Sequence, residues 1–221
     1  MGSGEDQAAE AHMRRMNALG RSLNLIIAGV ISGVLASASA GAATKSATDS
    51  VRGTIDEVVR ILKDPEMKKP DRVDERRRIL EKVIGDRFSW DEMAKRTLGT
   101  QWAKLDENQR QEFTDLFRTL LTTTYIGRIE SYSGEKVVYL NERLQDGFAE
   151  VRTKVAAGKA EYPMDYRLMD KSGDWHVYDI VLDGVSLVNN YRGQFSKILR
   201  TSSYEDLVGK LKNKSDKITP P

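Results

Sequence analysis

The apolar period of the chain switches at Gly134, and that switch limits the folds open to it. Before Gly134, apolar residues recur every three or four positions, as on a helix. After it they alternate, as on a strand. Four alternating segments follow in close succession, at 136–140, 148–156, 161–169 and 175–182. Their separators are "QDG" (145–147), "AGK" (157–159) and "KSGD" (171–174), all with turn chemistry. Connections this short join antiparallel neighbours, not parallel crossovers. In the second segment Val151, Thr153 and Val155 share one face, and Glu150, Arg152 and Lys154 share the other. In the third, Tyr162, Met164, Tyr166 and Leu168 stand opposite Asp165 and Arg167. One face of the sheet is therefore covered and the other is wet. Pro163 predicts an edge or bulged position for its strand.

Helices supply the cover. Val51, Ile55, Val58, Val59 and Leu62 form one apolar face, and Pro65 ends that element. A second helix is expected from Asp71 as N-cap to Gly85 as stop. Its Arg76–Arg78 run, beside Asp74, Glu75 and Glu81, reads as a solvated face. Ser89 and Glu92 fit a capping box, with Phe88 and Met93 as the staple, for a helix closing at Gly99. Asp106 and Gln109 fit another. The helix they open carries a stripe of Phe113, Leu116, Phe117, Leu120, Leu121, Thr124, Tyr125, Arg128 and Ile129. Such a stripe is either core or the wall of a cavity. After the fourth strand Gly184 breaks the alternation. Val188, Tyr191, Phe195 and Ile198 then mark a helix over 187–199, and a last helix starts near Ser202 or Ser203. The order is helices, a four-stranded antiparallel meander, then helices: an α+β domain with one sheet face covered.

The residue inventory excludes much chemistry. The 221 residues hold 35 Lys and Arg against 33 Asp and Glu, a formal charge of +2, too small for a nucleic-acid footprint. No cysteine is present, so disulfides, thiol catalysis and thiolate metal sites are ruled out. His176 sits on an alternating strand and reads as structural; Ser186 lacks a nucleophile-elbow context. Asp165, Asp170, Asp174 and Asp179 fit no calcium loop. Asp179, inside an apolar strand, reads as the holder of nearby backbone or of Arg192. The chain is expected not to be an enzyme, and no cofactor is expected.

At the N-terminus, residues 1–13 read as an upstream extension or added leader. Residues 14–42 read as a signal peptide: Arg14, Arg15 and Arg21, an apolar run over 23–35, then small residues. The apolar run falls short of the ~20 residues of a spanning helix. Residues 43–221 are expected to form one domain.

Four segments in order carry a family resemblance: "FSWDEMAKRTLGTQW" (88–102), "RQEFTDLFRTLLTTTYIGRIESYSGEKV" (110–137), "YRLMDKSGDWHVYDIVLDGVSLVNNYRGQF" (166–195) and "ILRTSSYEDLVGKLK" (198–212). They resemble the MlaC, or toluene-tolerance, periplasmic family. The run from Trp175 to Phe195 is the most specific part. The resemblance implies a curved sheet with an apolar cavity between sheet and helices. It implies a periplasmic carrier of phospholipid that maintains outer-membrane lipid asymmetry. Its partners would be an inner-membrane Mla-type ABC transporter and an outer-membrane lipoprotein–porin complex. Another apolar ligand, such as a fatty acid or hopanoid, or a ligand-free adaptor role, is the alternative. The expected lipid-binding residues are Val151, Val155, Met164, Tyr166, Leu168, Val177 and Val181 from the strands, and Val185, Leu187 and Val188 from the corner after Gly184. Phe117, Leu121 and Tyr125 come from the long helix, and Tyr191 and Phe195 from the later one. Strand phase leaves Tyr178 and Ile180 as substitutes for Val177 and Val181.

Overall fold

Turn chemistry and period account for most of the architecture in the computed structural model, which describes residues 45–158 and 160–213. The expected features of residues 1–42 lie outside the described residues. Among the described residues three α-helices precede the longest one: α1 (Ala47–Lys63), α2 (Val73–Arg87) and α3 (Trp90–Leu98), followed by α4 (Glu107–Glu130). The strands are β1 (Lys136–Gln145), β2 (Phe148–Ala157), β3 (Ala160–Lys171), β4 (Asp174–Leu182) and the short β5 (Val185–Ser186). Helices α5 (Leu187–Thr201) and α6 (Tyr204–Lys212) complete the fold. The result is an α+β fold with a five-stranded antiparallel sheet in sequential order.

The expected strand count of four is thus one short. Asp183 and Gly184 do not simply break a strand. Both have positive φ, 49° and 80°, so they form a tight hairpin that returns the chain as β5 beside Val181 and Leu182. Asp146 with Gly147 and Ser172 with Gly173 repeat that left-handed pair at the first and third hairpins.

Pro163 also departs from expectation, because β3 is an interior strand. Its carbonyl accepts from the Asp183 amide at 2.9 Å, where β4 already turns away. The missing proline N–H therefore removes no ladder bond from β4.

Helix ends differ in detail. Asp71 lies in a single 3-10 turn (Pro70–Arg72), and α2 begins after it without a side-chain cap. Gly85 does not stop α2. It is buried, and a Cβ there would lie 3.0 Å from an Arg118 guanidinium nitrogen, so the glycine serves close packing. Ser89 makes no cap bond to α3; its hydroxyl donates to Asp91 at 2.8 Å instead. The Asp106–Gln109 capping box of α4 is complete.

The buried apolar residues form separate clusters. The largest joins α3, α4, α5 and α6 around Phe113, Phe117, Tyr191 and Phe195, whose rings meet mostly edge to face at 5.5–5.9 Å. A second places Ala47 and Val51 of α1 on Ala149, Val151, Leu168 and Val177 of the sheet. A third lies among α1, α2 and α4, around Ile61, Leu62 and Leu80.

Candidate functional site

Between these clusters the layers do not close. A cavity of about 410 Å³, open to solvent, lies between the sheet and helices α1, α2 and α4. That volume falls within the ~300–1,000 Å³ of small-ligand sites. Helix α1 contributes Thr54, Ile55 and Val58, and α2 contributes Glu81 and Ile84. Phe88 and Trp90 stack at 5.2 Å where α2 passes into α3, and both face the cavity. The C-terminal half of α4 gives the largest share, from Leu121 and Tyr125 through Ile126 to Arg128 and Ile129. The sheet supplies Met164 and Tyr166 from β3, and Ile180 and Leu182 from β4. Val185 and Leu187 line it from the corner.

Apart from Glu81 and Arg128 the wall is almost wholly apolar. Burial pushes the phenols of Tyr125 and Tyr166 on the wall above their ordinary range, so neither ionises near neutral pH. The Tyr166 hydroxyl lies 3.1 Å from the Met164 sulfur. Among the described residues no group of His, Cys, Asp and Glu is arranged to hold a metal. Nor is any described helix long and apolar enough to cross a membrane.

The corner is fixed by one buried acid. Asp179, 3% exposed, accepts from the Ser186 hydroxyl at 2.7 Å, the Val188 amide at 3.0 Å and Arg167 at 3.1 Å. Ser186 in turn accepts from the Asn189 amide at 3.0 Å. A carboxylate and a hydroxyl therefore both satisfy orphan donors at the start of α5. Backbone holding by Asp179 was expected, but its arginine is Arg167, not Arg192. Arg192 lies against Gly99, where a Cβ would meet its guanidinium at 3.2 Å.

Six of the fifteen sequence-derived positions line the cavity: Leu121, Tyr125, Met164, Tyr166, Val185 and Leu187. Nine are placed elsewhere. Phe117, Val188, Tyr191 and Phe195 belong to the closed aromatic core. Val151, Leu168 and Val177 are sealed under α1 by Ala47 and Val51. Val155 sits beside Tyr162 towards the end of β2, away from the cavity wall. Val181 is displaced by a bulge. The ladder pairs Leu168 with Val177 but Arg167 with Asp179, so Tyr178 is an extra residue. The phase reverses across it, and Ile180 and Leu182 join the face of Val177 while Val181 leaves it. Ile55 and Val58 were already visible on the apolar face of α1, and Ile129 on the stripe of α4. Periodicity does not show which of these faces meet across the gap.

Comparison with known proteins agrees with this arrangement. The family model described as MlaC protein matches residues 52–213. The intermembrane phospholipid transport system binding protein MlaC of Haemophilus influenzae is 25% identical over 52% of this chain and 57% of its own length. The toluene tolerance protein ttg2D of Pseudomonas putida is 24% identical over 55% of this chain and 58% of its own. The chain thus spans a little over half the length of these curated relatives. A solved phospholipid-binding protein from Ralstonia solanacearum, in complex with a phospholipid, superposes with a TM-score of 0.68 at 26% identity. That match covers 77% of this chain and 97% of the solved one. With the family model spanning the helices, the whole sheet and the corner that bound the cavity, this chain belongs to the MlaC family.

Proposed function

We propose that the protein is a phospholipid carrier that buries acyl chains in the cavity between α1, α2, α4 and the sheet. One observation carries the reading: a member of the MlaC family keeps an open, almost wholly apolar cavity where an ordinary domain would close its core. The solved Ralstonia relative was determined with a phospholipid bound, which supports the same ligand class here.

The energetics explain why a carrier takes this form. Burial of a methylene gains about 0.8 kcal/mol, so a lipid with about 30 methylenes loses on the order of 20–25 kcal/mol when released into water. A diffusing carrier must replace nearly all of that burial. An apolar cavity does so without a dedicated polar ligand set. The work asked of it is retention and release, and no catalytic group is needed.

The cellular role follows as part of the same proposal. The protein shuttles phospholipid through the periplasm between an outer-membrane lipoprotein–porin complex and an inner-membrane Mla-type ABC transporter. The signal-peptide pattern of residues 14–42, basic residues, an apolar run and then small residues, supports that compartment, and the carrier domain of the proposal is 43–221. Vesicle transfer tests the carrier activity. Donor vesicles with labelled phospholipid and separable acceptor vesicles should exchange label faster with protein than without. Transfer no faster than the spontaneous rate would remove the carrier role.

A further inference from the structure

The cavity wall carries two ionised side chains, and their charges are opposite. Among the described residues, Glu81 and Arg128 are the only ionised side chains on its wall. Glu81 shares a face of α2 with Ile84, three residues on, and Arg128 shares a face of α4 with Tyr125, three residues back. Both charges are thus built on helix faces that line the cavity. The Arg128 guanidinium lies 5.5 Å from the centre of the Tyr125 ring, which holds it at the wall. Arg128 is exposed and Glu81 half-buried, so they mark the solvent side of the cavity. Neither has an ion-pair or side-chain hydrogen-bond partner among the described residues. The contrast with their neighbours is sharp, because Arg76 and Arg77 on α2 are both committed to Glu130 on α4.

A guanidinium suits a phosphodiester, which it meets with paired N–H donors, and a carboxylate suits a primary ammonium. We infer that Arg128 and Glu81 form a headgroup clamp that favours zwitterionic, amine-bearing phospholipid over anionic phospholipid. The inference rests on the carrier reading, with the acyl chains inside and the phosphate at the mouth. Arg128 takes the phosphate and Glu81 the ammonium beyond it. An anionic lipid without the amine offers Glu81 no ammonium to pair with, and leaves the phosphate charge uncompensated beside the carboxylate. At a solvated rim such a pair is worth about a two- to five-fold bias in bound lipid.

The test is competitive loading. The protein is incubated with vesicles equimolar in phosphatidylethanolamine and phosphatidylglycerol, and bound lipids are counted by native mass spectrometry. The wild type should carry an excess of phosphatidylethanolamine of about two- to five-fold. Glu81→Gln should bring the ratio to that of the vesicles, and Glu81→Lys should invert it. Free phosphoethanolamine in the buffer should leave lipid bound, since the acyl chains supply the affinity; displacement by it would assign the site to a soluble phosphate ester and overturn the clamp. Lipid bound without headgroup bias, or a bias that persists in both variants, overturns the clamp and leaves the carrier reading intact. A wild type that takes up no lipid overturns both.

Discussion

Asp179 shows how much one side chain decides. It ties the end of β4 to the start of α5 through Ser186 and the Val188 amide, and to β3 through Arg167. Asp179→Ala should lower unfolding stability by about 2–3 kcal/mol, because buried donors lose a charged acceptor. Urea denaturation of the purified variant measures it. The residue scale is also where the sequence was least legible. Val177 and Val181 are an even number of positions apart, so strict alternation puts them on one face. The extra residue Tyr178 breaks that rule, and nothing in its chemistry announces a bulge. The consequence is testable. Ile180→Trp should fill the cavity and lower lipid occupancy, since Ile180 lines it. Val151→Trp meets a closed core under Ala47 and Val51, so it should cost about 1–3 kcal/mol of stability instead. Native mass spectrometry and urea denaturation separate the two outcomes.

At the scale of elements, α4 carries two functions on one face. Its first half places Phe113 and Phe117 in the aromatic core, and its second half turns Tyr125, Ile126 and Ile129 to the cavity. The stripe was legible in the sequence as core or wall, and it is both in succession. Periodicity cannot show where one gives way to the other, because that depends on whether another element reaches the stripe. The Arg76–Arg78 run gives the converse case. It reads as a solvated face, yet Arg76 and Arg77 hold Glu130 at 2.7 and 2.9 Å, clamping α2 to α4 at the C-terminal end of α4. Burial pulls the Glu130 carboxyl up, but hydrogen bonds from Arg76 and Arg77, with their charge, outweigh it and hold it below its ordinary 4.5. A folded-state value below the unfolded one stabilises the fold above the ordinary carboxylate range. That stabilisation is lost as pH falls through the folded value. Glu130→Gln should therefore lower stability at pH 7 by about 1–3 kcal/mol. The gap from wild type should close in acid, which urea denaturation at neutral and low pH reads directly.

For the whole molecule, order and period were enough to give helices, an antiparallel meander and helices again. The positive-φ Asp146–Gly147 and Ser172–Gly173 pairs explain why the first and third hairpins were readable. The fifth strand escaped because two residues are too few to show alternation. The cavity could not be read from period at all, since an apolar face looks the same whether it meets a neighbour or a void. The resemblance supplied that expectation, and the gap between α1, α2, α4 and the sheet gives it a location. The central claim is that this gap holds the acyl chains of a phospholipid. Native mass spectrometry of the protein purified from a bacterial host tests it most directly. The account predicts a bound mass matching a two-chain phospholipid, reduced in the Ile180→Trp variant. A wild-type protein that retains no lipid under non-denaturing conditions, or an Ile180→Trp variant with full occupancy, would contradict it.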